Sequence, residues 1–196
     1  MKHRTFMCLA TTALAALTVG TFAIAGQEPN HQPFNDGGRK TFTIDVALDA
    51  GTLVINHVDP SKPPTDQNRG DTLVIDGTVY PGYTLPSGIN ATNDPNAPGG
   101  IGKIRCRALV LVPLADITTP GASFVTEMYS LPNDDRMMLV DGLGANLFKT
   151  VRRAILGGTR DFEGATGEAV ETNLGTNASG ACNLRIQFKL RRSEHR

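Results

Sequence analysis

Short runs in which apolar and polar residues alternate, separated by turns rich in Gly and Pro, recur along this chain of 196 residues. Residues 103–108 read KIRCRA and residues 182–188 read CNLRIQF, so every second side chain in each run is apolar. A period of two places the apolar residues on one face of a β-strand. The composition has 21 Gly, 12 Pro and no Trp, which is unlike the Ala-, Leu-, Glu- and Lys-rich composition of helical bundles and coiled coils. The chain is therefore predicted to be all-β.

Several segments carry the strand pattern, and turn clusters separate them. The predicted strands are 41–48, 52–58, 71–80, 101–112, 123–131, 137–140, 165–172 and 181–190. Many short strands joined by Gly and Pro turns are typical of β-sandwiches and β-barrels. The connection 81–100 is longer than most loops of compact domains, and its length is typical of a segment that covers an opening.

Residues 146–156 allow two interpretations. Leu147, Val151 and Ile155 recur at helical spacing, and Asn146 is placed to cap the start of a helix. The residues from Val151 to Leu156 also fit the alternation of a strand. Periodicity alone leaves the choice open for a run this short.

The first 25 residues have the organisation of a secretory signal peptide. A basic start at residues 2–4 precedes an uncharged apolar stretch over residues 5–24, and the sequence AIA at residues 23–25 offers a cleavage site. A stretch of nearly this length can also anchor a protein in a membrane. The small residues and the cleavage site favour removal near Ala25. We therefore expect a secreted protein without stable membrane insertion of the mature chain.

Residues 26–38 are polar and contain Pro and Gly, which predicts a flexible leader. Residues 39–192 are then the β-barrel or sandwich domain. The whole chain has 19 Lys and Arg and 19 Asp and Glu. This balance gives no electrostatic indication of a nucleic-acid partner.

Two cysteines, Cys106 and Cys182, follow the predicted signal peptide. Each falls on the apolar face of an alternating run, so the two can face one core. An even pair in an exported protein favours a disulfide. Buried thiols that fill space are the alternative.

The sequence lacks the common motifs of metal sites and of nucleophilic catalysis. His31, His57 and His195 are not at metal-ligand spacing, so no metal site is predicted. No G-x-S-x-G sequence is present. The Gly-rich run 156–167 is neither a phosphate-binding loop nor a dinucleotide-binding fingerprint.

The Gly-rich run nevertheless resembles a known superfamily. Residues 157–167 read GGTRDFEGATG. They resemble the Gly-Gly and Phe-Glu-Gly-Ala-x-Gly pattern of plant allene oxide cyclases and the Gly-Gly-Thr-Gly-Asp-Phe pattern of dirigent proteins. Further matches upstream extend the resemblance over roughly residues 50–190. The matching motif positions are Gly70, Asp71, Gly102, Gly157, Gly158, Phe162, Gly164 and Gly167.

This resemblance implies an all-β fold, a small antiparallel β-barrel of about eight strands, in which residues 150–156 form a strand. It implies a barrel that binds a hydrophobic or phenolic small molecule and steers its cyclisation or coupling. Such an isomerase or dirigent-type auxiliary protein needs no cofactor. Members of the superfamily are commonly oligomeric, so a homo-oligomer, a dimer or a trimer, is expected.

The resemblance also indicates candidate site residues. Asp161 is the candidate catalytic acid, and Asn56 and Tyr80 are candidate ligand-binding residues. Val54 stands where the cyclases have a Glu, and an apolar residue there cannot stabilise developing charge. This difference speaks against allene oxide cyclisation itself. The alternative is a non-catalytic ligand-binding or structural barrel, in which Asp161 only caps a turn.

Overall fold

The computed structural model describes residues 38–63, 67–112, 122–131, 136–144 and 149–192. The predicted signal peptide and nearly all of the predicted leader lie outside these residues. Nine β-strands make up most of the described chain. They are β1 (Arg39–Leu48), β2 (Val54–Asn56), β3 (Thr72–Pro81), β4 (Gly102–Val110), β5 (Ser123–Leu131), β6 (Arg136–Leu143), β7 (Thr150–Gly158), β8 (Ala165–Thr176) and β9 (Cys182–Arg192). No helix in the described part of the chain is long and apolar enough to cross a membrane.

The strands close into an antiparallel barrel. Each strand from β3 to β9 pairs with the next, and β9 pairs with one edge of β1. The other edge of β1 pairs with the second half of β3, where Val46 lies opposite Val79. β2 takes the place of β1 beside the first half of β3, where Ile55 lies opposite Leu73. Since β1 and β2 share one position, the barrel has eight strands, and the predicted fold is confirmed.

One end of the interior is packed with aromatic rings. Phe188 of β9 lies 4.9 Å from Phe42 and 5.3 Å from Tyr129, measured between ring centroids. Tyr129 and Phe188 are fully buried. This end, where β1 begins, is called the aromatic end below. The opposite end, where β1 finishes at Leu48, is called the mouth.

The segment that sequence periodicity left open is the strand β7, and the strand interpretation is confirmed for residues 150–158. β7 lies between β6 and β8 and pairs with both. A helix at this position would leave the backbone groups of both neighbours without their ladder partners. The first residues of the alternative helix, 146–148, lie outside the described part.

A β-bulge in β7 determines which of its side chains face inward. Gly157 pairs with Leu139 of β6, but the next residue of β6, Val140, pairs with Ile155. Leu156 is therefore an extra residue on β7 that has no partner on β6. Leu156 is exposed, and Ile155 and Arg153 are buried inside the barrel. If β7 paired with β6 without a bulge, Leu156 would lie opposite Val140, and strand alternation would turn Ala154 inward and Arg153 outward.

The Gly-rich run forms the turn between β7 and β8. A single 3-10 turn spans Arg160–Phe162, and Phe162 is buried, with its ring centroid 6.1 Å from that of Phe42. Arg160 has φ of 54°, a left-handed conformation that favours Gly. The dirigent pattern has Gly at this position, so the backbone of the turn agrees with the pattern although the residue differs.

The long connection after β3 lies along the outer wall of the barrel. Gly88 pairs with Gly175 of β8, and the side chains of Asn93 and Asn183 exchange hydrogen bonds of 3.1 and 2.8 Å. The hydroxyl of Tyr80 donates to two carbonyl oxygens of the connection, each at 3.0 Å. These contacts are with the outer wall, whereas the length of the connection led us to expect a cover over an opening.

Gly167→Ala is expected to destabilise the barrel strongly. Gly167 has φ of 143°, and a Cβ at this position would lie 2.1 Å from the carbonyl oxygen of Lys189 on β9. We expect the free energy of unfolding, measured by urea denaturation, to fall by about 2–4 kcal/mol. The control is Gly99→Ala, because Gly99 also has positive φ but nothing lies within 4 Å of an added Cβ. The control should lose only about 1 kcal/mol. Equal losses would show that contact with β9 does not set the cost.

Candidate functional site

Three charged side chains lie inside the barrel, and we call them the interior triad. They are Glu127 on β5, Arg153 on β7 and Glu171 on β8, exposed by 2%, 4% and 2% respectively. Strand pairing places each on an inward-facing position, with Glu127 opposite Val140 and Arg153 opposite Ala169. Charged groups buried this deeply are costly unless they are paired.

Arg153 joins the two carboxyl groups. Its Nη1 lies 2.5 Å from Oε1 of Glu127, and its Nη2 donates to Oε1 of Glu171 at 2.7 Å. Its Nε donates to the carbonyl oxygen of Leu143 at 2.9 Å. The hydroxyl of Tyr129 donates to Oε2 of Glu127 at 2.6 Å. These contacts fix the guanidinium and orient both carboxyl groups.

Small residues on the adjacent strands leave room for the guanidinium. Gly142 of β6 faces Arg153, and a Cβ on Gly142 would lie 3.0 Å from Cγ of Arg153. Ala169 of β8 is the Cα partner of Arg153 on the other side. Larger residues at either position would occupy the space that the arginine fills.

Glu171 is the acid of the triad. Burial and, next, the negative charge of Glu127 raise the pKa of Glu171 well above its usual range, although Arg153 opposes this shift. Glu171 therefore holds a proton at pH values where a surface Glu is ionised. Its Oε2 is buried and has no hydrogen-bond partner among the described residues. This oxygen can donate a hydrogen bond to a molecule inside the barrel.

Tyr129 and Arg153 keep their usual protonation states. Burial and the charge of Glu127 raise the pKa of Tyr129, so its hydroxyl remains a donor. Burial acts to lower the pKa of Arg153, but Glu127 and Glu171 raise it by more, so Arg153 remains charged. The site thus combines a fixed cation, a protonated acid and a phenol.

The barrel interior next to the triad is not completely filled by side chains. Ile75, Cys106 and Cys182 face inward but are only partly buried, and Cys106 is the Cα partner of both Ile75 and Glu127. A mid-strand residue in a filled barrel is fully buried, as Ile104 is here. A water-sized molecule can therefore reach the interior surface beside Glu127.

The two predicted inward cysteines face this space as thiols, and no disulfide joins them. The side chain of Asn173 donates to Sγ of Cys182 at 3.4 Å. Burial and the charge of Glu127 raise the pKa of the Cys106 thiol well above its ordinary value, so it is a poor nucleophile. The disulfide predicted from the even pair is not present in this structure, and its formation in an exported protein stays a prediction.

Asp71, of the Gly70-Asp71 motif, is buried where β3 begins at the mouth. Its carboxylate accepts hydrogen bonds from the backbone of Val58 at 2.9 Å and of Asn68 at 2.8 Å. Nδ1 of His57 lies 2.9 Å from the same carboxylate. Burial acts to raise the pKa of Asp71, but these three partners lower it below its usual value. The motif aspartate thus organises the segment that enters β3.

The candidate residues taken from the resemblance do not come together in the structure. Asp161 is 57% exposed beyond the aromatic end, where it accepts a hydrogen bond of 3.1 Å from Arg136. Asn56 is exposed on β2, and its neighbour Ile55 takes the inward position. Tyr80 is buried under the long connection on the outer wall. None of the three contacts the interior triad, and their functional roles stay predictions.

Sequence reasoning missed the interior triad. The sequence does show one sign of the triad, which is a charged residue at a position where strand alternation predicts an inward apolar one. Glu127, for example, lies between the inward residues Val125 and Tyr129. Among the described residues, no group of three or more His, Cys, Asp or Glu side chains is placed to hold a metal ion.

No protein-family model matches this chain, and no curated protein matches its sequence. Solved structures do resemble its fold. The pterocarpan synthase dirigent protein PsPTS1 has a TM-score of 0.54 and 11% identity, over 80% of this chain and 96% of that protein. The related GePTS1 has a TM-score of 0.52 and 12% identity, over 80% and 90%. The Diels Alderase AbmU from Streptomyces koyangensis has a TM-score of 0.48 and 16% identity, over 82% and 72%. The two dirigent proteins, whose TM-scores exceed 0.5, show that the chain has the fold of the dirigent-type barrels.

Glu171→Gln is expected to remove a pH dependence of stability. Because folding raises the pKa of Glu171 above its ordinary value of 4.5, the folded protein keeps a proton that the unfolded chain loses. The stability of the unaltered protein then falls as the pH rises above that value, by up to about 1.4 kcal/mol per pH unit. The variant, which has nothing to titrate there, should gain stability relative to the unaltered protein between about pH 5 and about pH 8.

Urea denaturation across this pH range measures the effect. The matched control is Glu168→Gln on the same strand, because Glu168 is 37% exposed and Arg152 lowers its pKa. That control should show no such gain. Parallel pH profiles for Glu171→Gln and the unaltered protein would contradict a protonated Glu171.

Proposed function

We propose that this protein is a cofactor-free barrel that binds a hydrophobic or phenolic small molecule and steers its cyclisation or coupling. The observation that carries the proposal is the buried carboxyl group of Glu171, whose Oε2 has no hydrogen-bond partner among the described residues, beside interior space. Apolar residues line that space, so it suits an apolar ligand. The fold likeness to dirigent-type barrels is compatible with this function but does not establish it.

Glu171 is the proposed acid. It donates a hydrogen bond, or transfers its proton, to an oxygen of the bound molecule on which negative charge develops. Proton transfer leaves a carboxylate on Glu171, and Arg153 at 2.7 Å stabilises that charge. The proton returns to Glu171 when the product forms, so the cycle consumes no oxidant or reductant. Tyr129 keeps Glu127 oriented throughout.

Native mass spectrometry of the protein from its own source identifies the ligand class. A reproducible adduct released by denaturation is the expected result. The same spectrum tests removal of the signal peptide, because the cleaved chain would have the mass of a protein that begins near residue 26. It also tests the disulfide, which would lower the mass by about 2 Da relative to the reduced protein. A bare mass under conditions that preserve oligomers would contradict a tightly held ligand.

Glu171→Gln is expected to slow conversion of that ligand about a hundredfold while leaving its binding nearly intact, because the amide keeps the shape but cannot give up a proton in the same way. Product formation and ligand affinity are measured separately. The control Glu168→Gln changes only an outward carboxyl group. Asp161→Ala belongs in the same assay, because Asp161 is the acid that the sequence resemblance indicates. If Asp161→Ala abolishes turnover and Glu171→Gln does not, the assignment of the acid to Glu171 is wrong.

The second candidate is a non-catalytic ligand-binding or structural barrel. Its support is that Arg153 pairs with both carboxyl groups, an arrangement that a purely structural ion network also has. A ligand that binds and leaves unchanged, with equal affinity for the Glu171→Gln variant, favours this candidate.

We further propose that the protein is a homo-oligomer, a dimer or a trimer, that uses the outer wall of β4 to β6. Leu109, Phe124 and Leu143 form an exposed row across these three strands, because Phe124 is the Cα partner of both other residues. Met128 and Leu139 form a second exposed pair on the same wall. Contiguous exposed apolar side chains are typical of protein contacts, and a second copy of the chain is the partner that is always present.

Phe124→Lys is expected to shift the protein to monomers, because it places a charge in the centre of that row. Light scattering coupled to gel filtration measures the molar mass. The control is Thr166→Lys, since Thr166 is an exposed outer residue of β8. An unchanged molar mass for Phe124→Lys would exclude this wall as the contact.

A further inference from the structure

A His–Asp pair, in which Asp71 is buried and His57 is largely buried, lies at the mouth of the barrel, outside the interior triad. Ile55 of β2 is opposite Leu73 of β3, which lies opposite the buried Ala108 of β4, so this register position faces inward. Continued just past the end of β2 and just before the start of β3, the same alternation directs His57 and Asp71 towards the interior, where the two side chains contact each other. Backbone hydrogen bonds of 2.8 and 2.9 Å tie Gly70 and Asp71 to Val110 at the end of β4.

The hydrogen bond to Asp71 fixes the tautomer of His57. Nδ1 of His57 lies 2.9 Å from Oδ2 of Asp71. Because the carboxylate can only accept, Nδ1 carries the hydrogen of the neutral ring, and Nε2 presents a lone pair. The side chain of His57 is 12% exposed, and its Nε2 has no hydrogen-bond partner among the described residues. A buried acceptor without a partner is unusual in a folded protein.

A second buried polar atom belongs to Asn68, which also contacts Asp71. The backbone of Asn68 donates to the same oxygen of Asp71 at 2.8 Å, and its side-chain Nδ2 is buried without a partner among the described residues. The two residues that contact Asp71 thus offer one buried acceptor, Nε2 of His57, and one buried donor, Nδ2 of Asn68. A hydroxyl group both donates and accepts, so it matches this pair chemically.

The neighbouring inward side chains indicate that the rest of the ligand is apolar. Leu73, Ile75 and Ala108 continue the inward face from the His–Asp pair towards the triad. An apolar body would lie along these residues with its hydroxyl at the mouth. Glu171 would then lie deeper, towards the other end of the molecule.

We propose that His57, held by Asp71, is a ligand-binding residue that accepts a hydrogen bond through Nε2 from a hydroxyl group of an apolar molecule in the barrel. This inference rests on the proposed small-molecule binding function and adds a second polar contact to it. It assigns the orientation of the ligand, with the hydroxyl at the mouth and the reacting part near Glu171.

A matched pair of probes tests the proposal at neutral pH. The probes are para-propylphenol and its methyl ether, para-propylanisole, which lacks the hydroxyl hydrogen. We expect the phenol to bind roughly fivefold more tightly than the ether, the effect of one hydrogen bond between neutral groups. In His57→Phe the preference should disappear. The control Val54→Ala, an outward residue that is 54% exposed on the same strand, should keep it.

Nitrogen NMR of the labelled His57 ring provides a readout that does not depend on the variant's folding. In the free protein Nδ1 should be the protonated nitrogen, and the phenol, but not the ether, should shift the Nε2 resonance. Two probes of equal affinity that leave the Nε2 resonance unmoved would overturn the role of His57 and leave the binding function standing. Failure of both probes to bind the unaltered protein would overturn the binding of such molecules and, with it, this inference.

Discussion

β1 pairs along both of its edges, with β9 on one side and β3 on the other, and this double pairing turns the sheet into a closed barrel. Closure removes the free edges that a sheet of this size would otherwise present. It also gives every strand an inside and an outside, so each alternate residue has a fixed destination. The position of the charged residues of β5, β7 and β8 in the interior follows from this constraint.

The interior triad is a costly way to fill a barrel. Replacing a buried ion network with apolar residues of similar volume is often neutral or stabilising, whereas removing one member leaves an unpaired charge. Most other inward positions are apolar, including Ile44, Val79 and Ile186. The chain thus contains a polar site in surroundings that could have been wholly apolar, and the raised pKa of Glu171 gives that site a proton to donate. The same reasoning applies at the mouth, where Nε2 of His57 is buried and has no hydrogen-bond partner in the described part of the chain.

The fold could be predicted from the sequence because strand alternation and Gly-rich turns are local signals. Both cysteines were correctly assigned to inward faces for the same reason. The position of Asn56 could not be derived, because β2 is only three residues long and its pairing with β3 fixes a register that short sequence matches do not. The triad was missed because Arg153 is inward only as a result of the bulge at Leu156. Glu127 and Glu171 can be recognised as a pair only once the position of Arg153 between them is known.

The extra residue in β7 has a consequence for how such a barrel can change over evolutionary time. Deleting the single codon for Leu156 would restore regular pairing with β6 and keep the inward set of β7, because Ile155 would still lie opposite Val140 and Arg153 would still face the interior. Loss of the bulge with Leu156 retained would instead bring Leu156 opposite Val140, turn Arg153 outward and separate the two carboxyl groups from their cation. The charged interior of this barrel therefore depends on whether one extra residue is accommodated in a bulge or in the regular ladder of β7.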